Sequence, residues 1–106
     1  MRVPVVHLRT GWPVRWEEKH GPKCIKAEDV VAAALVDDGS IDFLMRRGQR
    51  MRAKLERQCP TLDFYGGFYL QPAGGRICAD VVEIRNRIGG SCQIDKFRIL
   101  KPKTLK

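Results

Sequence analysis

Between Arg50 and Leu55 the chain alternates strictly, with Met51, Ala53 and Leu55 apolar and Arg50, Arg52 and Lys54 charged between them. A period of two marks a strand with one face in a core and the other in water. Upstream, Ile41, Phe43 and Met45 alternate in the same way with Asp42, Leu44 and Arg46. Arg47-Gly48-Gln49 separates the two limbs, so the pattern predicts a hairpin over residues 41–57. A helix there would gather Ile41, Leu44, Met45, Gly48, Arg52 and Leu55 on one face, a stripe broken by a glycine and an arginine.

The same reading extends along the chain. Residues 30–36 are the longest apolar run, the length of a buried strand, and Asp37-Asp38-Gly39-Ser40 is a turn signal after it. Cys59-Pro60 ends the hairpin strand, because proline cannot continue a ladder. Phe64-Tyr65-Gly66-Gly67-Phe68-Tyr69 is an aromatic near-repeat about two glycines. A strand over 68–71, a Pro72-Ala73-Gly74-Gly75 turn and a return over 76–79 follow. Residues 81–88 read as a short helix closed by Gly89-Gly90, and residues 92–100 as the last strand, ended by Pro102. The expected fold is therefore all-β or β-rich α+β, a small antiparallel barrel or rolled sheet of five to six strands with at most one short helix.

Residues 1–23 differ from the rest. Pro4, Pro13 and Pro22 recur with Gly11 and Gly21, and Trp12 and Trp16 are the chain's tryptophans. The segment reads as a proline-rich arm, laid over the domain by its tryptophans or partly loose, with Val3, Val5 and Val14 able to form short edge pieces. The compact unit runs over residues 24–100, and residues 101–106 form a basic tail.

At 106 residues and 43% hydrophobic the chain has room for one domain with a core. No apolar run is long enough for a membrane-spanning helix. Cys24, Cys59, Cys78 and Cys92 are an even, widely spread set, which reads as a two-disulfide framework and an oxidising compartment, periplasmic or secreted. Residues 1–11 lack the apolar stretch of a leader, so this reading supposes that one has been removed. With Met1 as the natural start, free thiols in a cytoplasmic protein become the alternative. Four cysteines allow three pairings. Cys24 and Cys92 open the first and last strands, which barrel closure brings together, so Cys24–Cys92 with Cys59–Cys78 is expected.

Candidate chemistry is sparse. Zinc sites favour cysteine pairs two to four residues apart, and none exists here, nor does a Cys-x-x-Cys redox pair. His7 and His20 form no ligand spacing and read as surface residues. Asp63, Asp80, Glu83 and Asp95 have no spacing that brings them together, and the glycine pairs lack a phosphate-loop pattern. No metal, cofactor or enzymatic activity is expected. The aromatics Phe64, Tyr65, Phe68 and Tyr69 read as core packing before base stacking.

The net charge of +8 suits an anionic partner. Arg46, Arg47, Arg50, Arg52, Lys54 and Arg57 form the densest basic cluster, with Glu56 the one acid among them. On the hairpin, Arg50, Arg52 and Lys54 would line an outward face with Arg46 and Arg47 at the tip. Such a ribbon can grip phosphates or carboxylates, and it is equally the solvated face of an ordinary hairpin. On this reading its charges act without contributing to packing. The function so indicated is a non-enzymatic envelope or secreted module binding an anionic polymer or protein. The alternative is a cytoplasmic nucleic-acid-binding or interfering protein, of accessory or phage type, that uses the same residues.

In order along the chain stand Cys24-Ile25, Cys59-Pro60-Thr61-Leu62, Ile77-Cys78-Ala79-Asp80 and Cys92-Gln93-Ile94-Asp95-Lys96-Phe97. Together they resemble a family of small exported proteobacterial four-cysteine proteins with a domain of unknown function. The likeness covers residues 24–100 and implies a leader-bearing envelope protein with no assigned activity. Val81-Val82 is apolar where the family has a charged continuation.

Overall fold

A computed structural model describes residues 1–6, 14–37, 39–56, 68–85 and 90–104. Its strands are β1 (Arg2–Val3), β2 (Val5–Val6), β3 (Val14–His20), β4 (Cys24–Lys26), β5 (Val30–Asp37) and β6 (Ser40–Met45), followed by β7 (Arg50–Leu55), β8 (Phe68–Tyr69), β9 (Arg76–Cys78), β10 (Glu83–Arg85) and β11 (Ser91–Thr104). The protein is all-β, and no α-helix occurs among the described residues. Five of these strands have six residues or more, and they carry the sheet: β3, β5, β6, β7 and β11.

Nine strands form one sheet in the order β1-β8-β10-β11-β7-β6-β5-β2, with β3 on β11. The two ends of that path, β1 and β2, are separated in sequence by Pro4 alone. Backbone bonds at the junction run from Leu70 N–H to the Met1 carbonyl and from Ala33 N–H to the Pro4 carbonyl. Residues 2–6 thus carry the sheet round to within one proline of closure. All pairings are antiparallel except β2 on β5. A second sheet holds only β4 and β9.

The period-two hairpin forms as its pattern predicts. β6 and β7 pair with Phe43 opposite Met51 and Ile41 opposite Ala53. These four residues, with Met45 and Leu55, are buried in the core alongside Phe68, Ile77, Ile84, Ile94 and Phe97. Phe43 packs edge-on against Phe68, with ring centroids 5.9 Å apart. At the tip, Arg47 (φ 67°) and Gly48 (φ 77°) turn the chain through the left-handed region, and Met45 N–H closes the loop onto the Gln49 carbonyl. On β11 the inward residues are Cys92 and Ile94, then Phe97 and Ile99. The parity changes because a bulge between Ile94 and Lys96 inserts Asp95.

Several expectations are corrected. Within residues 1–23, Val3 and Val5 lie in the short edge pieces expected, β1 and β2, while Val14 begins a longer strand, β3, that pairs with β11. β11 continues through Pro102 to Thr104, where only β3 flanks it, and a strand with one partner tolerates proline. No helix forms over residues 81–85. Val82 and Ile84 are buried while Val81, Glu83 and Arg85 are exposed, a period of two that β10 satisfies between β8 and β11.

The cross-links also differ from the expected pairing. Cys24 is bonded to Cys78, its direct neighbour across β4 and β9. Bonds from Ala79 N–H to the Lys23 carbonyl and from Ala27 N–H to the Gly75 carbonyl fix that register. Cys24–Cys92 does not form, because residues 2–6 close the sheet and leave β4 to pair with β9. Cys92 is also disulfide-bonded. Cys59 and the aromatics Phe64 and Tyr65 lie outside the described residues.

Candidate functional site

The site begins with a carboxylate. Period two turns Asp42 away from the barrel interior, onto the face that carries Arg50 and Arg52 of β7. It is nevertheless fully buried, at 0% exposure. Arg50 donates from Nε to Asp42 Oδ2 at 2.7 Å, and Arg52 donates from Nε to Oδ1 at 2.8 Å and from Nη2 to Oδ2 at 3.2 Å. The Arg50 guanidinium also lies 4.9 Å from the ring centroid of Trp16 on β3, within cation–π range.

This changes the reading of the basic cluster. Arg50 and Arg52 were to act by charge alone. Instead they satisfy a buried carboxylate, and a buried ion left without its partner is strongly destabilising. Arg46 and Arg47 are exposed at the tip, as the hairpin pattern implies. Lys54 is bonded to Glu18 of β3 at 3.0 Å, with Arg52 3.8 Å from the same carboxylate. Arg57 lies outside the described residues.

The face continues onto β11, which the sequence reading left out. In register, Lys54 faces Lys96 and Arg52 faces Arg98, so two like-charged pairs stand directly across from each other. Like charges so placed oppose pairing. Arg98 in turn faces the exposed His20 of β3. Glu18, Lys54, Lys96 and Arg98 line a shallow depression of about 350 Å³. Among the described residues no ion pair engages Lys96 or Arg98. The face thus presents Arg50, Arg52, Lys54, Lys96 and Arg98 against Asp42 and Glu18. Gly21 lets β3 leave this close to β11: a Cβ there would meet the Phe97 carbonyl carbon at 2.7 Å.

Asp80 and Asp95, without a spacing to join them in the sequence, do meet, and Glu56 completes the group. One carboxylate oxygen from each lies within 4.8 Å of the others. Asp95 is the bulged residue of β11, and Asp80 sits at φ 65° with its N–H bonded to the Ile94 carbonyl. Oxygens so gathered are of the kind that hard cations take, although exposed acids often cluster without one. Of the aromatics, Phe68 is in the core and Tyr69 is 41% exposed.

Asp42, Glu18, Lys96 and Arg98 escaped the sequence reading. Asp42 had a signal, since the alternation of its own limb sets it on the arginine face. Lys96 and Arg98 had none, because their position depends on the partner and register of β11.

The fold and face together define a small, nearly closed all-β protein with a cationic outer surface on β7 and β11. Comparison with protein-family models, with curated proteins and with solved structures finds no match. The resemblance to the four-cysteine family accordingly rests on the residues quoted for it.

Proposed function

We propose that the protein is a non-enzymatic envelope or secreted module that binds an anionic ligand or protein partner through its basic hairpin and the adjoining strand. The carrying observation is the pair of like-charged cross-strand contacts, Lys54 with Lys96 and Arg52 with Arg98, on a face with five cations and two carboxylates. Without an anion such an arrangement opposes the pairing of β7 with β11; an anion across it removes the opposition. The exposed Arg46 and Arg47 extend the same charge to the hairpin tip. The Cys24–Cys78 bond supports an oxidising compartment. Among the described residues no helix is long and apolar enough to cross a membrane.

Heparin affinity chromatography tests this reading. Arg46→Gln with Arg47→Gln should lower the eluting salt concentration more than Lys26→Gln with Arg76→Gln, an exposed cross-strand pair on the other sheet. Equal losses would mean that retention follows net charge alone, and the hairpin would then be only a solvated surface.

A further inference from the structure

Resting on that reading, we infer that the depression between Lys54, Lys96 and Arg98 is a subsite for a dianionic phosphate group, of the monoester or inorganic kind. The charge on the face selects the ligand. Arg50 and Arg52 share Asp42, and Lys54 and Arg52 share Glu18, so of the three surplus positive charges one remains among those paired cations and two stand at Lys96 and Arg98. A monovalent carboxylate would offset one of them, and Glu18 already contributes a carboxylate to the depression. A phosphate monoester carries about −1.5 to −2 at neutral pH and presents three strong acceptor oxygens. Arg98 supplies a planar fork and the two lysines supply point charges from either side.

Position supports the same assignment. Lys54 and Lys96 stand opposite each other on neighbouring strands, and Arg98 lies two residues along β11 from Lys96 on the same face. Cross-strand neighbours are about 5 Å apart and same-face residues along a strand about 7 Å. The three side chains therefore surround one small anion rather than tracking a long one. Glu18 holds Lys54 at 3.0 Å and so orients it at the rim. Asp80 and Asp95 border the neighbouring depression, shared with Lys96 and Arg98, yet form no ion pair with either. The exposed pair Lys26 and Arg76 is a useful contrast: it repeats the cross-strand arrangement without a third cation two residues along either strand.

The test is titration of the intact, oxidised protein with inorganic phosphate at constant ionic strength, followed by calorimetry and by the amide resonances of β7 and β11. Saturable binding is expected, weakened at least tenfold by Lys96→Gln with Arg98→Gln and left unchanged by Lys26→Gln with Arg76→Gln. Melting temperature verifies that each variant is folded, and Lys96→Gln alone serves should the double variant fail to fold. A short single-stranded oligonucleotide with and without a 5′-phosphate separates the sources. Preference for the phosphorylated end supports a polymer-borne monoester, whereas inorganic phosphate binding with no such preference supports a free one. Equal affinity for both oligonucleotides with no inorganic phosphate binding overturns the subsite in favour of a nucleic-acid backbone. Equal loss in the two double variants overturns it as well. If heparin retention by the hairpin persists while phosphate fails to bind, this inference alone is lost; if hairpin-dependent retention is absent too, the wider reading falls with it.

Discussion

Arg52 and Arg98 face each other across neighbouring strands with the same charge and the same side chain, yet their surroundings differ completely. Arg52 is 16% exposed and forks onto a carboxylate with no exposure at all. Arg98 has no ionic partner among the described residues and opens onto a depression. Charge density in the sequence therefore says little about what a cation does. Partnership decides it: a guanidinium committed to a buried acid is part of the fold, and one beside it without an acid is available to a ligand.

The largest expected effect falls on the committed pair. Arg50→Gln with Arg52→Gln leaves Asp42 buried without a cation and should cost about 3–5 kcal/mol in urea unfolding. Adding Asp42→Asn should recover part of that loss, since a neutral amide needs no countercharge. A double variant as stable as the parent would erase the distinction between committed and uncommitted cations.

An intermediate effect comes from the strand that frames both regions. Gly21→Ala forces a Cβ against the Phe97 backbone and should push β3 away from β11, at about 1–3 kcal/mol. The Asp42 pairs lie within β6 and β7 and should survive, while the contacts of Glu18 with Lys54 and Arg52 should be lost. Cross-peaks of those side chains, followed by NMR, would report whether the two regions separate in this way.

The smallest effect belongs to the uncommitted cations. Lys96→Gln with Arg98→Gln should change stability by no more than about 0.5 kcal/mol per site, because no described ion pair is broken. A slight gain at low salt would follow from relieved repulsion with Lys54 and Arg52, and should fade as salt is added. A loss as large as that of the Arg50 and Arg52 variant would mean that these side chains too are structural.

What the sequence disclosed follows from range. The hairpin and its inward residues Met51, Ala53 and Leu55 were legible because alternation is local, and a slip of one residue would have put all three in water. The turn at Arg47-Gly48 was legible for the same reason. Pairing between distant segments was not. Nothing near Cys24 states that β4 leaves the main sheet to join β9, so the cysteine partners were assigned from an assumed closure that residues 2–6 in fact provide. The bulge at Asp95 was equally hidden, because a single inserted residue is defined only against its partner strand. Within the basic cluster, Arg46 and Arg47 stand exposed at the tip as alternation implies, whereas the commitment of Arg50 and Arg52 to Asp42 was hidden, since alternation does not disclose the burial of that carboxylate.

The seam at Pro4 carries a consequence for how the molecule assembles. Residues 2–6 leave the ribosome before any strand they will join, and they must wait for β5 on one side and β8 on the other. Both pairings span long stretches of chain, and such contacts return nothing until their loop entropy has been met. Until then β5 and β8 are bare rims, with Ala33 and Leu70 lacking the carbonyls that later receive their N–H groups. Vigilance against self-association therefore falls on the interval before the ring is joined, when two open edges coexist in one partly folded chain.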